Sequence, residues 1–133
     1  MKKNLLLLSL LVLLTSCSFK LTDTVWCNVM PSELNGVTAD VVNSVYFLQG
    51  NHMAFNTHVK KDTTIILPQT TFAIGKYTRK GNLKKGIMLD IETTDNCGLI
   101  KHTKAVVNKN GLFVSDTDTT AIVYFLVSNL KVE

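Results

Sequence analysis

The sequence lacks most of the signatures by which a chain declares its chemistry. It has no Gly-x-Ser-x-Gly elbow, phosphate-binding loop or dinucleotide fingerprint, so the usual hydrolytic, phosphoryl-transfer and nicotinamide chemistries have no carrier. Beyond residue 16 no stretch approaches 18 consecutive apolar residues, which leaves the mature chain without a helical membrane span. Internal repeats, low-complexity tracts and linkers are absent. Basic charge is present but not concentrated. The formal balance of +4 at pH 7 loses Lys2 and Lys3 with a leader segment. The remaining basic residues fall in scattered pairs, Lys60-Lys61, Arg79-Lys80 and Lys84-Lys85. With neither stripe nor motif, no nucleic-acid partner is expected. At 133 residues the chain holds one domain. Hydrophobic residues make up 46% of it, too many for disorder. Val, Ile and Thr supply 35 of the 117 residues from Cys17 onward, a composition that leans towards β structure.

The first residues read as a removable leader. Lys2 and Lys3 precede an apolar run from Leu5 to Leu14, broken only by Ser9. Ten helical residues rise about 15 Å, half a bilayer core, which suits a signal peptide over residues 1–16 and not an anchor. The junction Leu14-Thr15-Ser16-Cys17 resembles the bacterial lipobox. In that family the chain is cut before the cysteine, whose sulfur carries diacylglycerol and whose amine is acylated, often with palmitate. The resemblance implies lipidation at Cys17, permanent membrane attachment and a cell-envelope address. Ser18, in place of an acidic residue, points to the outer membrane; the face is left open. Residues 17–21 then form a short tether, and 18–21 span only about 13–14 Å when extended.

Turn signals punctuate residues 22–133 at short intervals: Asn35-Gly36, Gly50-Asn51, Gly81-Asn82, Asp95-Asn96-Cys97-Gly98 and Asn110-Gly111 among them. Runs such as Met53/Phe55, Ile87/Leu89/Ile91 and Val123/Phe125/Val127 alternate between them. This rhythm predicts an all-β domain, a single antiparallel meander of eight or nine strands forming a barrel or a sandwich. Residues 31–40 depart from it. Pro31-Ser32-Glu33, with Val37, Val41 and Val45 spaced by four, predicts a short helix or a lid-like loop there. The doubly apolar run Ala121–Val127 is expected in the middle of the sheet.

Three segments carry a further resemblance: Leu21-Thr22-Asp23-Thr24-Val25-Trp26, Tyr46-Phe47-Leu48-Gln49-Gly50-Asn51, and Gly75-Lys76-Tyr77 running into Gly81-Asn82. They resemble the small lipocalin-like, calycin-type lipoproteins, with Thr24 where the family has glycine and no basic residue in the last strands to close over the tryptophan. The resemblance implies an eight-stranded up-and-down barrel, Trp26 plugging one end and a cavity at the other. Trp26, Tyr46, Phe55, Phe72, Tyr77 and Tyr124 are then candidate ligand-binding residues. An immunoglobulin-like sandwich fits less well, because Trp26 precedes Cys27 and Asp95 replaces the corner tyrosine.

The chemically capable residues have bland readings beside their functional ones. With Cys17 lipidated, Cys27 and Cys97 remain as a candidate disulfide, permitted by an oxidising compartment; two unrelated thiols are the other reading. His52 and His58 lie about 20 Å apart along a strand, too far to share a metal, and read as solvent-facing. Asp90 and Glu92 share a strand face in the manner of a glycosidase pair, but equally as its wet side. Asp116 and Asp118 lack the calcium-loop pattern. No catalytic constellation, metal or cofactor is therefore expected. The expected function is that of a membrane-anchored, non-catalytic binding module for a protein partner: an inhibitor, an adhesin-like protein or an accessory subunit. The alternative is a lipocalin-like carrier of a small apolar ligand.

Overall fold

A computed structural model describes residues 19–115 and 120–129. The leader 1–16, Cys17 and the Asp116/Asp118 turn lie outside them. Eight strands run in sequence: β1 (Thr24–Leu34), β2 (Val37–Leu48), β3 (His52–Lys61), β4 (Thr64–Asn82), β5 (Gly86–Asp95), β6 (Ile100–Asn108), β7 (Gly111–Ser115) and β8 (Ala121–Asn129). Each pairs antiparallel with the next, and β1 pairs with β8, so the sheet closes into an up-and-down barrel. Closure settles barrel against sandwich, and leaves no true edge within the closed part.

The helix or lid expected over 31–40 is not formed. β1 continues to Leu34, turns through Asn35-Gly36 and returns as β2. Both turn residues have positive φ, 51° and 79°, as the tight hairpin turn favoured by Asn-Gly requires. The spacing that suggested a helix has another origin. Valines four apart also share one strand face, since the strand period is two, and β-branched side chains favour the extended chain.

Interior positions follow the expected alternation for Met53/Phe55 and Ile87/Leu89/Ile91, whereas in β8 the inward place belongs to Tyr124 and the run Val123/Phe125/Val127 faces outward, with Phe125 and Val127 exposed. Trp26, Val45, Phe47, Met53, Phe55, Tyr77, Ile87, Leu89, Ile91, Val107, Leu112 and Tyr124 form one buried cluster. The end where the chain enters is shut. Trp26 is 3% exposed; its Nε1 donates to Thr24 Oγ1 at 2.9 Å, and that hydroxyl donates in turn to the Leu21 carbonyl. Thr24 is thus a relay for the plug. Phe19 meets Trp26 edge-on with ring centroids 6.5 Å apart. Arg79, from β4, donates to the Phe19 carbonyl at 3.2 Å and holds the entering segment at this end.

The barrel is lopsided. β8 leaves β1 after Cys27, and β5 leaves β4 at Ala73. Beyond those points β1 to β4 continue as a four-stranded extension standing over the open end, with free edges on β1 and β4. Three irregularities in the β3–β4 pairing bend it, as extra residues on one strand do. The chain's two prolines, Pro31 and Pro68, lie one on each free edge, where a missing N–H breaks the pattern that a foreign strand would need.

Candidate functional site

A cup of about 300 Å³ opens at the unplugged end, bounded by Asn43, Phe55, Phe72, Ala73, Ile91 and Tyr124 with neighbours from β5 to β8. Its floor is the filled core. Phe55 and Phe72 meet at 6.2 Å between ring centroids; Phe72 occupies the extra position of the first β4 irregularity, and 42% of it is exposed. One wall is polar. Asn28 and Asn43 face each other across β1 and β2. Asn28 Nδ2 donates to the Val123 carbonyl at 2.8 Å, holding β1 to β8 just beyond their last paired residues. Its Oδ1 is buried without a hydrogen-bond partner.

Of the six aromatic candidates, Phe55, Phe72 and Tyr124 reach the cup. Trp26 and Tyr77 lie below it in the shut end. Tyr77 packs against Phe47 at 5.4 Å, and burial pushes its phenol pKa up, offset in part by a hydrogen bond with Thr22 and the nearby Arg79 charge. Tyr46 is the misplaced one. It lies on the outer wall, because Val45 and Phe47 take the inward positions, and its hydroxyl accepts from Gln69 Nε2 at 3.0 Å. The cup residue Asn43 and its cross-strand neighbour Asn28 escaped the sequence reading, although each sits two residues from an inward side chain, Val45 and Trp26.

The Cys27–Cys97 bond is not formed; both thiols are free. Cys27 faces outward on β1, its Sγ 3.3 Å from Ser44 Oγ. Cys97 lies in the β5–β6 turn, where Asp95 Oδ1 accepts from the Cys97 and Leu99 amides, both at 2.9 Å. The strand order places that turn across the barrel from β1. The carboxylate pair is likewise on the outer wall: Glu92 lies 3.7 Å from Lys76, and Asp90 faces Lys104 across β5 and β6. His102 stands opposite Glu92 and His52 opposite Lys76. His58 is half-buried rather than solvent-facing, with Nδ1 unpartnered. No group of three metal-ligating side chains is found among the described residues.

Above the cup, the inner face of the extension carries an apolar row. Met30, Val41, Val59 and Leu67 pair in register across all four strands. Met30 and Leu67 are 47% and 53% exposed. Leu34 and Val37, at the tip, are also exposed. The fold and site define a closed, eight-stranded antiparallel barrel with a plugged end and a cup beneath an apolar row at the other. Comparison with protein families, characterised proteins and solved structures finds no match.

Proposed function

We propose that this chain is a membrane-anchored envelope lipoprotein of the lipocalin-like kind, acting as a non-catalytic binding module for a protein partner. The observation that carries the reading is the apolar row Met30–Val41–Val59–Leu67, continuous across four strands above a barrel already filled by its own side chains. A carrier needs an interior volume; a partner module needs an exposed apolar face. Here the volume is a shallow cup, and the row exposes Met30 and Leu67 at its two edges, with Val41 half-buried and Val59 buried between them. The N-terminal segment enters at the plugged end, so lipidation at Cys17 would turn the extension away from the membrane, with the outer membrane the expected address. A photo-crosslinking residue placed at Leu67 or Val37 in the native envelope should give a discrete adduct, and one placed at Lys84 should not. Failure of every extension position to give an adduct would remove the reading.

One observation favours a second occupant. The cup's aromatic floor, with Asn43 on its wall, suits a small apolar ligand bearing one polar group. Native mass spectrometry of gently purified protein separates the two: a reproducible extra mass, lost on denaturation, supports the carrier.

A further inference from the structure

Six basic residues gather at the plugged end. Lys84 and Lys85 occupy the β4–β5 turn, with Arg79 and Lys80 on the strand leading into it. Lys20 stands beside them in the entering segment, and Lys109 in the β6–β7 turn. All six are exposed. Among the described residues Asp23 is the acidic side chain beside them, and it accepts from Gln49 Nε2. The open end is balanced by contrast, with Lys60, Lys61 and Lys101 against Glu33, Asp40, Asp62 and Asp95 among the described residues.

Within the basic ring lies an apolar groove of about 450 Å³, lined by Phe19, Trp26, Leu83, Phe125 and Leu126 beside Lys109. Phe125 and Val127 are about 60% exposed. Exposed aromatic and aliphatic side chains surrounded by lysines match the interface of an anionic bilayer, where rings settle at headgroup depth and ammonium groups meet lipid phosphates. The chain outside the structure also leaves from this end: Phe19, held by Arg79 and Trp26, is separated from Cys17 by Ser18 alone.

We propose that the plugged end is a membrane-docking face that lies flat on an anionic phospholipid surface, with its lysine ring on the headgroups and its apolar groove against the interface. The proposal stands on charge placement and the groove, and does not require the anchor. Docking would fix the orientation of the domain, which a lipid on Cys17 alone only restricts.

Every strand, the core and the plug lie within residues 19–129, so the chain from Ser18 onward contains the complete barrel and no lipidation site. Its binding is to be measured by co-sedimentation with vesicles of phosphatidylcholine, alone and mixed with phosphatidylglycerol. Binding to the mixed vesicles only, falling with added salt, is expected. Lys84→Glu with Lys85→Glu should weaken it by roughly tenfold or more, each basic side chain near such a surface being worth about fivefold. Lys60→Glu with Lys61→Glu, at the opposite end, should leave it nearly intact. Circular dichroism checks that both variants keep the fold. No binding to mixed vesicles, equal binding to neutral ones, or an equal loss from the open-end variant would overturn the proposal. Binding to soluble inorganic polyphosphate as tight as to vesicles would also overturn it, assigning the ring to a polyanion instead.

Discussion

Asn28 Nδ2 donates to the carbonyl of Val123 at 2.8 Å across the closing seam of the barrel, one residue past the point where the β1–β8 pairing ends. A side chain thereby replaces a backbone bond where β1 turns away into the extension. Removing it strands a partly buried carbonyl, at a cost of about 1–3 kcal/mol. Asn28→Ala should lower stability by that order. Amide exchange should accelerate first along β8; a uniform acceleration throughout the barrel would argue against a local clasp.

Trp26 fills the shut end with its indole hydrogen-bonded to Thr24. Trp26→Ala should destabilise the domain by roughly 3–5 kcal/mol in denaturant titration, through lost burial and the cavity left behind. A loss below about 1 kcal/mol would mean that the tryptophan does not plug the barrel.

Tyr77 titrates above the ordinary tyrosine value because burial disfavours its phenolate. The folded state holds this proton more tightly than the unfolded state does. The corresponding stability is complete below pH 10 and is lost as pH rises through the raised folded pKa. Tyr77→Phe should flatten the alkaline decline in stability and remove a late-titrating component from the phenolate absorbance. An unchanged alkaline profile in the variant would assign the decline to other groups.

Pro68 interrupts an uncharged edge that runs from Thr64 to Phe72 without a single ionisable side chain. Proline is the device that blunts it against pairing with another chain. Pro68→Thr should raise self-association severalfold in analytical ultracentrifugation while leaving circular dichroism unchanged. If the variant stays as monomeric as the wild-type protein, the bend in the strand protects the edge without help from proline.

Much of the fold was legible because it is written locally. Alternating runs and Asn-Gly turns specify strands and hairpins within ten or so residues, and an unbroken meander has few ways to pair. Residues 31–40 misled because a spacing of four satisfies a strand as well as a helix. Tyr46 misled because aromatic character does not state a direction; the inward places had gone to Val45 and Phe47. Asn28 and Asn43 gave no signal, since a polar residue on an inward position looks like any break in alternation.

The sequence by itself determined an all-β meander of eight or nine strands, its tryptophan-bearing first strand and the inward runs Met53/Phe55 and Ile87/Leu89/Ile91. Only the tertiary structure decided where the ladder stops pairing. That choice made the free-standing extension, put one proline on each exposed edge and left the cup open beneath. It also gathered basic pairs that are scattered along the chain, carrying Lys84-Lys85 and Arg79-Lys80 to one end with Lys20 and Lys109, and Lys60-Lys61 to the other. The physical reason is that turns alternate between the two ends of an antiparallel barrel, so residues distant in sequence share an end only once the sheet has closed.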